Sequence, residues 1–156
     1  MKIVLADDHA LFRAGLQSAL AEAFGPATEV LEASDCAELR TILGEVADLD
    51  LILCDLRMPG MEPAETVRDL VELRPETPLV MVSASEDPID ACSSIQQGAK
   101  GYILKSDSLA VLQRALELVL AGGIYAPAAA LMAGSRSSRL LSAASVSAAL
   151  GPSRAR

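Results

Sequence analysis

The chain has 156 residues, 51% of them hydrophobic and 22% charged, with a net charge of −8. That suits one globular domain whose core needs no disulfide or metal staple, and with only 3% aromatics and no Trp the core has to be aliphatic. The acidic balance argues against nonspecific affinity for nucleic acid or anionic membrane, and no apolar run nears the roughly 18–20 residues of a membrane span.

In chain order, Lys2 to Ala6 is a short aliphatic run that stops at two aspartates, the pattern of a strand buried on both faces. Asp8 is placed to cap a helix whose apolar positions Phe12, Leu16, Ala19, Leu20 and Ala23 follow a 3.6-residue period, and Gly25-Pro26 ends it. His9, the only histidine, has no His or Cys near it in sequence and reads as a helix-start residue. Thr28 to Ala33 is a second strand, and Glu29 and Glu32 put it toward an edge. Leu39, Ile42, Leu43 and Val46 mark the second helix. Leu51 to Cys54 is the third strand, running straight into Asp55.

Met58-Pro59-Gly60 is a turn, and Ala64, Val67, Leu70 and Val71 form the stripe of a third helix. Pro75 and Pro78 bracket the approach to a fourth strand, Leu79 to Val82, which ends at Ser83. Ile89, Cys92 and Ile95 predict a fourth helix closed by Gly98, and Gly101 to Leu104 a fifth strand ending at Lys105. The last helix carries Leu109, Leu112, Leu116 and Val119 before Gly122-Gly123. Strands alternating with crossover-length helices imply a parallel sheet covered on both faces. Cys36, Cys54 and Cys92 form no CxxC pair; Cys54 in a strand and Cys92 on a helix stripe read as packing, in a reducing compartment.

The charge is divided. Every acidic residue lies between Asp7 and Glu117, so residues 1–125 carry −12, whereas Arg136, Arg139, Arg154 and Arg156 give the remainder +4. That remainder, 126–156, is an Ala/Ser-rich linker or tail, partly helical or disordered, with Ala128 to Leu150 compatible with helix. Four dispersed arginines make no DNA-binding face, so direct nucleic-acid binding by this chain is not expected.

The polar residues of interest each follow a strand: Asp7 and Asp8, Asp55, Ser83 and Lys105. In an open parallel sheet these carboxyl ends share one edge, where such folds place their sites. Taken singly, the aspartates fit a helix cap or a turn, and Ser83 and Lys105 fit ordinary loops. Together they make a pocket of three carboxylates, a hydroxyl and an ammonium. Clustered carboxylates repel one another, and a hard cation such as Mg²⁺ relieves that repulsion while leaving room for a phosphate oxygen. A carboxylate, a cation, an ammonium and a hydroxyl are the parts that capture a phosphoryl group.

The runs Val4-Leu5-Ala6-Asp7-Asp8-His9, Leu53-Cys54-Asp55-Leu56-Arg57-Met58-Pro59-Gly60, Ser83-Ala84 and Tyr102-Ile103-Leu104-Lys105 closely resemble a response-regulator receiver domain over residues 1–125. The Asp-Asp-His opening, Lys105-Ser106 and Gly122-Gly123-Ile124-Tyr125 are most similar to the NarL/LuxR-type branch. The resemblance implies an α/β fold, a doubly wound five-stranded parallel sheet of flavodoxin-like strand order 2-1-3-4-5 with helices on both faces. It implies that Asp55 is phosphorylated by a sensor histidine kinase. Asp8, Asp55 and the main-chain carbonyl of Arg57 would then ligate Mg²⁺, with Asp7 acting through water. Ser83 and Lys105 would contact the phosphoryl oxygens, and Ser83 and Tyr102 would form the switch, although an aromatic in a strand also serves plain packing.

Arg57 and Ser85 occupy the positions that tune phosphoryl lifetime in that family, and Arg57 either screens the phosphoaspartate or lies in solvent. Ser106 replaces the proline that many receivers carry after the lysine, so no cis peptide is assumed there. The implied protein is a cytoplasmic signalling switch that catalyses only its own phosphorylation and dephosphorylation and forms a homodimer on activation. It has no membrane partner, and DNA is read by a helix-turn-helix domain outside this chain. The 31 residues after Tyr125 are too few for that domain, so a fragment of a longer regulator is expected, with a stand-alone receiver or a phosphate-independent interaction module as the alternative. An aspartyl phosphatase on a similar sheet would need a second Asp two residues after the first, where Arg57 stands.

Overall fold

Alternation of apolar residues along the strands builds two cores, one on each face of a single sheet. A computed structural model describes residues 1–62 and 65–132. Its elements are β1 (Lys2–Ala6), α1 (Ala10–Phe24), β2 (Glu29–Ala33), α2 (Cys36–Glu45), β3 (Leu51–Asp55), α3 (Thr66–Leu73), β4 (Leu79–Ser83), α4 (Pro88–Gln96), β5 (Gly101–Leu104) and α5 (Leu109–Leu120). The strands lie in the order β2-β1-β3-β4-β5 and every pairing is parallel.

Side chains on a strand point alternately to opposite faces, and the cores divide accordingly. Val4, Ala6, Ile52, Cys54, Leu79, Met81 and Tyr102 enter the core covered by Leu39 and Leu43 of α2, Val67 and Leu70 of α3, and Ala91 of α4. Ile3, Leu5, Leu51, Leu53, Val80, Val82 and Ile103 enter the core covered by α1 and α5. The doubly wound architecture expected from the sequence is the one observed. As its glutamates suggest, β2 is an edge strand, paired only with β1, and Glu29 and Glu32 are exposed.

Three expectations change. Asp8 does not cap α1: the N-cap is His9, without a side-chain cap bond, and the His9 N–H is taken at 2.8 Å by Asp7 Oδ1. The chain leaves β1 with Asp7 turned inward, so the buried carboxylate is the one in reach of the free amide. The stripe assigned to α4 is rotated. Ile89 is 70% exposed and Cys92 half-buried, while Ala91 and Ser94 face the sheet with Ile95 packed beside them. Bulk marks a helix's core face poorly where the helix lies close to the sheet and small residues fill the contact. Cys54 is fully buried, so packing holds for it but only in part for Cys92; Cys36 is buried as well.

Ala64 of the third helix's stripe, residues 133–156 and the four tail arginines lie outside the described residues. Beyond α5 the chain turns back along the free edge of β5: Tyr125 N–H donates to Lys100 O at 3.0 Å, and Tyr102 N–H donates to Tyr125 O at 2.9 Å. Ala130 is buried in the same core as Tyr102. Among the described residues no helix is long and apolar enough to cross a membrane.

Candidate functional site

Strand register brings the polar residues to one level. Ala6 pairs with Cys54, Asp55 with Val82, and Ser83 with Leu104, so the residues at the ends of β1, β3, β4 and β5 share the carboxyl edge of the sheet. Asp7, Asp8, His9 and Asp55 each offer a ligand atom there, all within 4.8 Å of one another. Asp7 and Asp55 are buried, whereas Asp8 is a third exposed and His9 two-thirds exposed at the side chain.

One ammonium ties this edge together. Lys105 Nζ is 2.7 Å from Asp7 Oδ2 and 3.2 Å from Asp55 Oδ2, and it sits 4.6 Å from the centre of the Phe12 ring. Burial alone would lower the Lys105 pKa, but the two carboxylates outweigh it and hold the amine above its ordinary value. Burial raises the Asp55 carboxyl above the ordinary range. The Arg57 N–H, which donates to Asp55 Oδ1 at 3.2 Å, opposes that rise; the charge of Asp7 adds to it, and Lys105 offsets it in part. Asp55 is thus a carboxylate whose charge costs free energy unless cations surround it.

The β3–α3 loop that carries this acid is held by a close approach. Gly60 adopts φ +84°, and a Cβ there would stand 2.9 Å from Cys36 Cβ, while Cys36 N–H donates to Pro59 O at 2.9 Å. Only glycine lets the loop rest against the start of α2.

Ser83 is buried, and its Oγ accepts the Ser85 N–H at 3.0 Å. Tyr102 is 1% exposed, its ring inside the core and its hydroxyl donating to Ser85 O at 2.8 Å; burial raises its pKa. The Arg57 side chain, 62% exposed, reaches α4, where Nη2 pairs with Asp90 Oδ2 at 3.0 Å. Asp7, Asp8, Asp55 and Lys105 therefore form one cluster, with Ser83, Ser85 and Tyr102 joined to each other beside it. Arg57 touches the cluster through its backbone and leaves it through its side chain.

Sequence reasoning missed two residues, Arg13 and Asp90, and read a third, His9, only as the helix start that it is. Arg13 donates to the main-chain oxygen of Asp7 and pairs with Glu32 at 3.0 Å, fixing the end of β1. His9 Nδ1 lies 3.1 Å from Asp7 Oδ1, and Asp90 receives Arg57. Only the Asp87-Pro88 helix start hinted at an acid in the first turn of α4.

The donor set suits a hard cation, since three carboxylates converge and a lysine ammonium already stands between two of them. A cavity of about 750 Å³ adjoins the site between α1 and α5; Leu11, Phe12, Leu16, Leu109 and Leu112 line it, and His9 and Lys105 form its border with the acidic edge.

Comparison with known proteins gives consistent relatives. Residues 3–117 match the family model of the response regulator receiver domain. The glycerol metabolism activator of Pseudomonas putida is 39% identical over 126 residues, covering 81% of this chain and 57% of that protein. The nitrate/nitrite response regulator protein NarL of Escherichia coli K12 is 36% identical over 120 residues, covering 77% of this chain and 55% of that protein. The chain thus spans about half the length of the curated relatives it matches. Among solved structures, a LuxR-family two-component response regulator from Aurantimonas sp. SI85-9A1 superimposes with a TM-score of 0.74 at 26% identity, over 87% of this chain and 96% of that one. The signal receiver domain of the putative response regulator NarL from Mycobacterium tuberculosis gives 0.66 at 30% identity, over 78% and 96%.

Proposed function

The chain belongs to the response-regulator receiver family, and we propose that it is the phosphoacceptor switch of a two-component relay, with Asp55 as the acceptor. The observation that carries this reading is the contact of Lys105 Nζ with both Asp7 and Asp55, which surrounds one buried carboxylate with the charges a phosphoryl group needs.

In this reading an Asp55 oxygen attacks the phosphorus of a phosphohistidine on a sensor histidine kinase. The new P–O bond forms as the P–N bond breaks, and the imidazole leaves. Lys105 follows the incoming negative charge, since its point charge suits phosphate, and Ser83 offers its hydroxyl to a phosphoryl oxygen. Asp8, Asp55 and the main-chain carbonyl of Arg57 would hold Mg²⁺, and Asp7 would support it from beside them. When bound, that ion neutralises charge on the acceptor and the transferred oxygens.

The buried pair Ser83 and Tyr102, linked through Ser85, then reads the phosphoryl group. A shift of Ser83 changes which arrangement of the α4–β5–α5 face is favoured, and that face serves homodimer formation. Relatives of the chain include transcriptional regulatory proteins, so the output is control of transcription through a DNA-binding domain outside this chain, in the cytoplasm. The reading is tested by phosphoryl uptake from a small acyl phosphate with Mg²⁺: uptake in the wild type and none in Asp55→Asn supports it, and equal uptake in both overturns it.

A further inference from the structure

The Lys105 ammonium has partners of two kinds. Its Nζ lies 2.7 Å from Asp7 Oδ2, 3.2 Å from Asp55 Oδ2 and 3.4 Å from His9 Nδ1, all residues of the acidic edge. The same nitrogen sits 4.6 Å from the centre of the Phe12 ring, in the first turn of α1. An ammonium within about 6 Å of a ring centre is attracted by the negative face of the ring. Phe12 and Lys105 also share the lining of the cavity of about 750 Å³ between α1 and α5. A side chain that borders a cavity has no packed neighbours on that side to hold it. Phe12 therefore stands where the lysine could otherwise leave the site.

Phe12 packs against the core that α1 and α5 cover, and an aliphatic side chain would serve that packing as well. What an aliphatic side chain lacks is a negative face. The carboxylates that hold Lys105 are the ones whose charge is drawn elsewhere when the site works. Asp55 takes the phosphoryl group, and the cation shares the charge of the acidic edge. The ring neither titrates nor ligates, so its attraction for the ammonium persists through those changes. It is also weakly directional, which lets the ammonium follow the phosphoryl oxygens without losing the contact. We propose that Phe12 is a positioning residue for phosphoryl transfer to Asp55, holding the Lys105 ammonium at the acidic edge through its ring face and keeping it out of the cavity. This rests on the acceptor reading above. Phe12 forms no bond and moves no proton in the transfer; it acts through Lys105.

The test loads the full chain from acetyl phosphate with Mg²⁺ and follows the initial rate of uptake by intact mass. An Asp55 oxygen bonds to phosphorus as the bond to the acetyl oxygen breaks, and acetate leaves. Phe12→Leu keeps apolar bulk without the ring face and should load about fivefold more slowly, equivalent to about 1 kcal/mol, the scale of a cation–π contact. Phe12→Tyr should load at close to the wild-type rate. Fluorinated phenylalanines at position 12 keep the shape and drain the negative face, so the rate should fall stepwise with each added fluorine. A readout independent of loading is the proton resonance of the Lys105 ε-methylene, displaced by the Phe12 ring current and identified by losing that displacement in Phe12→Leu. In the wild type the displacement should survive the addition of Mg²⁺. A flat rate across the fluorinated series, wild-type loading in Phe12→Leu, or loss of the displacement on adding Mg²⁺ would overturn the proposal; the fluorinated series does not depend on Phe12→Leu folding. Failure of the wild type to load overturns the acceptor reading instead, so the two failures are distinct.

Discussion

The Lys105 ammonium lies 3.2 Å from Asp55 Oδ2, in a side chain only 16% exposed, and the same nitrogen reaches Asp7. Removing it leaves two buried carboxylates facing each other. Lys105→Met should therefore lose roughly 1–3 kcal/mol of stability in metal-free buffer, the scale of an unpaired buried group near solvent. Adding Mg²⁺ should recover more stability in the variant than in the wild type, because a cation returns the missing charge. Urea unfolding with and without Mg²⁺ checks both; an equal metal effect on the two proteins would count against the shared cation site.

Tyr102 donates its buried hydroxyl to Ser85 O. Tyr102→Phe should cost about 1 kcal/mol, one net hydrogen bond. The pH dependence has a definite sign. Burial raises the Tyr102 phenol in the folded state, so its contribution to stability is fully present below the pKa of an unfolded tyrosine and is lost as pH rises through the folded value. Alkaline unfolding curves should be less steep in Tyr102→Phe. Tyr125, also raised by burial and next by Asp107, keeps its share in both proteins.

Gly60 meets Cys36 where no Cβ fits, at a positive φ. Gly60→Ala should destabilise by roughly 1–3 kcal/mol, from backbone strain plus displacement of the loop behind Asp55. Thermal unfolding measures the first effect. A slower phosphoryl uptake at temperatures where the variant is folded would report the second.

Cys54 is completely buried, and burial, followed by the charges of Cys36, Asp55 and Asp7, pushes its thiol well above the ordinary value. Cys54 and Cys36 should resist a disulfide reagent in the native state, while half-buried Cys92 reacts. Three fast-reacting thiols in the folded protein would contradict the packing described.

The alternation of strand and helix was legible because β1, β3 and β4 are largely aliphatic runs buried on both faces and most crossovers carry a 3.6-residue stripe. The site edge followed from that order, since a parallel sheet gathers residues such as Asp7, Asp55, Ser83 and Lys105 whatever their separation in sequence. What stayed hidden depended on rotation and reach. The face of α4 turns on Ala91 and Ser94, small residues that hydropathy weighs lightly. Asp7 rather than Asp8 receives the His9 amide because of how the chain turns after Ala6. The partner of Arg57 lies 33 residues away on α4, whose core face is set by small residues.

The central claim is that Asp55 carries the phosphoryl group, and the direct measurement locates the group on the chain. After reaction with acetyl phosphate and Mg²⁺, borohydride reduction converts an aspartyl phosphate to homoserine, which peptide mass spectrometry places by position. Homoserine at position 55 alone, absent when Mg²⁺ is withheld and absent from Asp55→Asn, is the predicted result. Homoserine at Asp7 or Asp8, or none in a folded, Mg²⁺-supplied wild type, would contradict the account.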